Sequence, residues 1–272
     1  MKLTFLGTAA AEGMPAVFCN CAYCSEARRL GGKNIRTRSQ AIINDDLLID
    51  LPADTYSHFL HNGIRGDRIR QLLITHSHSD HFYPSELAMR SGPFAHDMEQ
   101  EVLEIYCGQG TFDKLNEEYP EKWGFSANLL KPYVPTQVGA YTVTALPARH
   151  YPGDGALFYI IQGEKTVLYA HDTGYFYEEV FAYIQKSGIR FDLATFDCTN
   201  VDIPISDEGT HMGIPNIQRV VARLEAMGAL DENTVKIINH FSHNGNPLHH
   251  ILEERVRGLG YLVSYDGMTV DF

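Results

Sequence analysis

Positive charge is scarce in this chain: 22 Lys and Arg stand against 34 Asp and Glu in 272 residues, a formal charge of -12. Such a surface repels a polyanion, and no Lys/Arg-rich arm offers an exception, so a nucleic-acid partner is disfavoured. Long apolar runs are missing as well, and none approaches the ~20 residues of a membrane span. The opening Met1-Lys2-Leu3-Thr4-Phe5-Leu6-Gly7 is too short and too glycine-punctuated for a signal-sequence core. Together these absences predict a soluble, cytoplasmic protein with no membrane partner. Cysteine is limited to five, an odd number with three crowded at Cys19, Cys21 and Cys24. That spacing argues against a disulfide framework, and reduced thiols or metal ligands fit better. No repeat, low-complexity tract or Gly/Ser/Pro-rich linker marks a boundary, so residues 1–272 read as one domain.

What is present suffices for a full core, with 44% hydrophobic residues. Apolar runs predict strands at Leu3–Leu6, Ala41–Ile43, Leu47–Ile49, Ile69–Thr75, Tyr141–Leu146, Leu157–Ile161, Thr166–Tyr169, Leu193–Phe196, Val235–Ile238 and Tyr261–Val263. Helical spacing appears at Ile217, Val220, Val221 and Leu224, stopping at Gly228, and again at Leu248, Ile251, Leu252 and Val256 after Pro247. A third helix is expected from Tyr175 to about Gln185, ending at Gly188. Strands in hairpin-like pairs with helices set outside predict an α+β fold of stacked sheets flanked by helices. The least regular stretch, 82–138, with helical patches at Ser85–Arg90 and Asp113–Tyr119, is where a substrate-facing insertion is expected.

The strongest chemical signal is Thr75-His76-Ser77-His78-Ser79-Asp80-His81, directly after a hydrophobic strand. In an extended segment His76 and His78 point to one side, and a turn beyond them brings Asp80 and His81 to a neighbouring position. One strand end thus serves two metals: imidazole suits zinc, iron or manganese, and a carboxylate supplies charge to hold two dications together. Further ligands must come from elsewhere. His150, Asp172 and His240 each lie at or shortly after the end of an apolar strand, and each gains weight from the cluster.

On these residues the chain resembles the metallo-β-lactamase superfamily of hydrolases. The order His-x-His-x-Asp-His, a lone His, an Asp before Thr-Gly and a final His is complete here. The resemblance implies a four-layer αββα sandwich. It also implies two divalent metals, Zn or Mn: one on His76, His78 and His150, the other on Asp80, His81 and His240, with Asp172 bridging. Asp80 thereby counts as catalytic as well as ligating, because a complete set of seven marks a binuclear hydrolase.

Cys19-Asn20-Cys21-Ala22-Tyr23-Cys24 is the second motif. Three thiols in six residues suit a structural Zn, with His243, three residues after His240, as the best fourth ligand. Buried free thiols with His243 lining the active site are the alternative. The arrangement resembles the phosphoribosyl cyclic phosphodiesterase family of the carbon-phosphorus lyase pathway. In that branch a histidine at the place of His211 assists catalysis, so His211 is either a general acid or a neutral helix-capping residue.

His171, next to Asp172, faces the other way and reads as structural. Asp197 ends a strand where it can orient a metal-bound histidine. Arg149, Tyr151 and Asn244 flank ligands, either to touch a phosphate or simply as solvated loop residues. His58, His61, His96, His249 and His250 match no ligand position and are expected to be solvated, while Cys107 and Cys198 read as core thiols.

The resulting expectation is a hydrolase acting on a small-molecule phosphodiester, cyclic or not, through a metal-bridging hydroxide. One alternative is a tRNA 3′-processing-type nuclease, which needs a basic exosite that this charge does not offer. The other is a non-hydrolytic binding protein similar to the superfamily member of pyrroloquinoline quinone biosynthesis, which shares the cysteine loop. Lactone and thioester chemistry also stay open, since one metal set serves them all.

Overall fold

In a computed structural model of the chain, which describes residues 1–119, 124–151, 153 and 155–272, two seven-stranded sheets stack face to face. The first holds β1 (Lys2–Gly7), β2 (Gln40–Ile43), β3 (Leu47–Ile49), β4 (Gln71–Ile74), β5 (Leu103–Cys107), β6 (Phe125–Leu129) and β14 (Thr269–Asp271), in the order β14-β1-β2-β3-β4-β5-β6. The second holds β7 (Thr136–Val138), β8 (Tyr141–Pro147), β9 (Leu157–Gln162), β10 (Thr166–Ala170), β11 (Leu193–Asp197), β12 (Val235–Asn239) and β13 (Tyr261–Val263), in the order β13-β12-β11-β10-β9-β8-β7.

Alternation along the strands sorts side chains into separate cores. Phe5, Ile43, Ile49 and Leu73 face Tyr159, Ile161, Val167 and Ile237 between the sheets. Leu6, Ile42, Leu72 and Ile74 face outward, beneath α2 (Thr55–Asn62) and α3 (Gln109–Glu118). On the other side Phe158, Leu168, Phe196 and Ile238 pack under α4 (Glu178–Ser187), α5 (Ile214–Ala226) and α6 (His249–Arg255). This is the αββα sandwich. The apolar stripe Ile217, Val220, Val221 and Leu224 is the buried face of α5, and Gly188 ends α4 in the left-handed region at φ 66°. Burial of these faces, not helical propensity, holds the helices in place.

The segment 82–138 differs from the expectation of an irregular insertion. Residues 103–107 and 125–129 are parallel strands that extend the first sheet, and 136–138 pairs with β8. β5 carries Glu104 among its apolar residues, and β6 is an edge strand with only Phe125 buried, so neither shows a continuous apolar run. The longest irregular stretch is 82–102, broken by a short 3-10 turn at Pro84–Arg90, with a shorter one at 130–135; residues 120–123 of this segment lie outside those described.

β3, β4, β10, β11 and β12 lie in parallel pairs within their sheets. β8 is antiparallel to β9, which is antiparallel to β10, so β8 runs in the same sense as β10. Segments just beyond the carboxyl ends of these strands therefore gather along one rim, where Leu157 N–H donates to the Thr75 carbonyl at 2.9 Å and bridges the two sheets. No described helix is long and apolar enough to cross a membrane.

Candidate metal centre

All seven expected ligands meet on this rim. His76 and His78 follow β4, and His150 follows β8. The Nε2 of His76 lies 3.0 Å, and that of His150 3.2 Å, from Nδ1 of His78. Beside them Asp80, His81, Asp172 and His240 bring four donor atoms within 4.8 Å of one another. Asp172 touches both groups: its carboxylate contacts His81 Nε2, reaches His240 Nε2 at 3.3 Å, and lies 3.6 Å from His76 Nε2. Three residues that end strands here, Asp50, Asp172 and His240, sit at φ 66°, 48° and 61°. Such values are rare outside glycine, so strained backbone turns these side chains into the centre.

Each key imidazole is fixed through its far nitrogen. His76 Nδ1 bonds Thr75 Oγ1 at 3.1 Å, His81 Nδ1 bonds Asp50 Oδ2 at 2.7 Å, and His240 Nδ1 bonds Thr199 Oγ1 at 2.8 Å. That leaves the bare Nε2 atoms aimed inward, the usual way of presenting a metal ligand. The Nε2 atoms of His81 and His240 are buried and make no aligned hydrogen bond. Burial holds His76 well below the ordinary imidazole range, the neutral form a ligand needs. At His81 burial acts in the same direction, but the Asp172, Asp50 and Asp80 carboxylates outweigh it and push the group well above that range. Every ion pair of Asp50, Asp80, Asp172 and Asp197 among the described residues is with a histidine. A cluster so acidic, lined by inward-facing nitrogens, fits divalent cations.

His211 stands at the edge of the centre, one fifth exposed. Its Nδ1 lies 2.9 Å from Asp197 Oδ2 and 3.3 Å from Asp172 Oδ1, and its ring is 5.1 Å from that of His150. Burial would depress its pKa, yet Asp197 and then Asp172 raise it to about 9. Asp197 thus orients His211 foremost, since its contact to His240 Nδ1 is longer, at 3.5 Å. Glycine is required nearby: a Cβ on Gly174 would stand 1.8 Å from the Gly209 carbonyl, so the Asp172 turn and the His211 loop dock backbone to backbone.

Cys19, Cys21, Cys24 and His243 also converge, with donor atoms within 4.8 Å. Cys24 lies in the first turn of α1 (Ala22–Leu30), and its Sγ is 3.5 Å from His243 Nδ1. A hydrogen bond from the Cys24 backbone, aided by His243, lowers the Cys21 thiol to about 6, whereas burial raises Cys24 to about 11. One ready thiolate and one that needs a cation to ionise suit a closed zinc shell.

Other assignments shift. Arg149 is turned away from the centre: it donates to the Tyr175 carbonyl at 3.0 Å and to Glu208 at 2.6 Å, and stacks on Tyr177. Tyr151 stays at the mouth, 57% exposed, its ring 5.6 Å from His78 and 5.0 Å from His150. Asn244 is exposed and bonds Ser242. His171 is fully buried against Tyr169 and Asn239, as a structural residue should be. His58 and His249, expected in solvent, are buried: His58 bonds Gln40 and Thr37, and His249 bonds Arg36 and Glu253. Helix-face position and partners distant in sequence decide both. Cys107 and Cys198 are buried core thiols.

Sequence reasoning missed Asp50 and Thr199. Asp50 directly follows the apolar strand β3, a context like the one that singled out Asp172, but no metal-ligand spacing pointed to it.

The family model described as a β-lactamase superfamily domain matches residues 48–241. The chain belongs to the metallo-β-lactamase superfamily. The superfamily fold agrees with the architecture above. Ribonuclease Z of Streptococcus pneumoniae is 32% identical over 110 residues, which are 40% of this chain and 31% of that protein. The match thus spans about a third of the length of that curated relative. Among solved structures, a diphosphatase of the PhnP family superposes with TM-score 0.74 at 21% identity, covering 100% of this superfamily chain and 97% of its own. Zn(2+)-bound PqqB from Methylobacterium extorquens superposes with TM-score 0.76 at 17% identity, covering all of both chains.

Proposed function

We propose that this superfamily member hydrolyses a small phosphodiester, with cyclic phosphates within its range, using two divalent cations, Zn or Mn, at the rim centre and a structural Zn at the cysteine cluster. The observation that carries the reading is the pair of adjoining ligand groups joined by Asp172, with His211 standing over them. Divalent cations bound there supply Lewis acidity and lower the pKa of water.

The chain's own residues supply the rest. His76, His78 and His150 would hold one position, and Asp80, His81 and His240 the other, with His76, His81 and His240 fixed by the bonds described above. His211, kept protonated by Asp197, is placed to give its proton to the departing alkoxide. Tyr151 walls the mouth beside His78 and His150. A phosphorus-ester substrate is further supported by the similarity to a diphosphatase and to ribonuclease Z.

The test is elemental analysis of protein purified without added metal, paired with hydrolysis of bis(p-nitrophenyl) phosphate. About three metal ions per chain with turnover support the proposal. Two metals at the rim centre without turnover of phosphodiesters, lactones or thioesters would instead favour the binding-protein reading, towards which the similarity to PqqB points. The similarity to ribonuclease Z favours a nuclease as the second reading. Binding of tRNA that falls steeply between two salt concentrations would establish it, against the expectation from a charge of -12.

A further inference from the structure

A cavity of about 530 Å³ opens on the outer face of the first sheet, between α2 and residues 84–98, and no residue of either metal cluster lines it. Its volume is that of a small-molecule site. The floor is apolar, with Leu48 and Leu51, and the exposed rings of Tyr56 and Phe94 stand among its lining.

Charge distinguishes this cavity from a plain apolar groove. Both arginines in its wall are committed: Arg65 pairs with Asp67 and Glu99, and Arg90 donates to the carbonyls of Gly124 and Gln100. Glu86 and Asp97 also line it, and neither carboxylate makes an ion pair or hydrogen bond among the described residues. Burial raises the Glu86 carboxyl, as expected for an acid set against apolar walls and not paired with either arginine. A neutral apolar guest would desolvate that carboxylate further without compensation, and an anionic one would be repelled. A positively charged head on an apolar body satisfies both features, with the aromatic rings adding attraction for the cation.

We infer that this cavity is a binding site for an amphipathic organic cation, whose apolar or aromatic body fills the space above Leu48 and Leu51 and whose ammonium head meets Glu86 and Asp97. The site is separate from the catalytic reading and stands without it.

Met89 and Met98 line the cavity, whereas Met14 and Met212 are buried elsewhere, so methyl-labelled methionine reports both binding and location. The full-length, metal-loaded protein is titrated with phenylpropylammonium, phenylpropanol and phenylpropanoate. The cation should shift the Met89 and Met98 methyl signals saturably and bind roughly five- to tenfold more tightly than the alcohol, the effect of a partly screened charge contact. The anion should bind weakest. In E86Q/D97N, with Met14 and Met212 signals unchanged as proof of folding, the cation should fall to the level of the alcohol. Unmoved Met89 and Met98 signals would overturn the inference, as would equal binding of cation and alcohol, or a preference that survives in E86Q/D97N. Shifts at Met89 and Met98 on raising protein concentration alone would also overturn it, by showing that a second copy covers the face.

Discussion

Acid should destabilise this protein through a residue that belongs to neither metal cluster. His58 is 3% exposed on α2, its Nδ1 and Nε2 each 2.6 Å from an oxygen, of Gln40 and Thr37 respectively. Gln40 uses its Nε2 to donate to Asp50 O and Thr55, so its Oε1 accepts from His58 Nδ1–H, while Thr37 Oγ1, facing Nε2, is shared with Asp266 Oδ2 at 2.6 Å. Burial lowers the His58 pKa from 6.5 to about 4, only partly offset by Asp54. The folded state thus stays neutral where the unfolded chain takes up a proton. Stability is unaffected above the unfolded pKa, falls as pH drops from about 6.5 to about 4, and is level below that. At 1.36 kcal/mol per pH unit the full loss is about 3 kcal/mol, of which ~2 kcal/mol is reached by about pH 5. Because other histidines titrate in the same range, the measurement is the difference in urea stability between wild type and H58Q at about pH 7.5 and about pH 5. The wild-type advantage should shrink by ~2 kcal/mol on acidification. A difference independent of pH would refute the reasoning.

Asp50→Asn removes the charged partner of His81 Nδ1, and the metal held by His81 should bind about 10- to 100-fold more weakly in chelator competition; unchanged affinity would deny Asp50 its role. His211→Ala should slow hydrolysis of alkyl phosphodiesters by ~100-fold or more but spare p-nitrophenyl esters, whose leaving group needs no proton, and equal losses on both would argue against a general acid. Gly174→Ala pushes the His211 loop away at Gly209 and should mimic His211→Ala in that same comparison while retaining both rim metals. Cys24→Ser should lower zinc content by about one ion per chain and reduce thermal stability with the rim metals retained.

Much of the architecture was legible because buried strands of a sandwich are apolar runs, and α5 shows its inner stripe openly. β6 and β14 escaped because edge strands bury little, and β5 because Glu104 interrupts it. The same contrast holds at the site. Ligands announce themselves by residue type and order, so His76 to His81, His150, Asp172 and His240 were found, and the structure brings them together. Asp50 and Thr199 act only through the imidazoles they hold, and Arg149 is drawn off by Tyr175, Tyr177 and Glu208; such pairings are set by tertiary contacts that spacing does not encode.

Because the donor atoms all follow strands of one sense, the two ends of the sandwich are unequal in what they can tolerate. The opposite end contains the tight β9–β10 turn at 163–165, remote from every ligand in its sheet by the length of a strand. Insertions there, or a fused partner, test only how well the sandwich holds together, while loops at the ligand-bearing end can be exchanged to reset substrate choice. The scaffold thereby separates what must be inherited from what is free to vary.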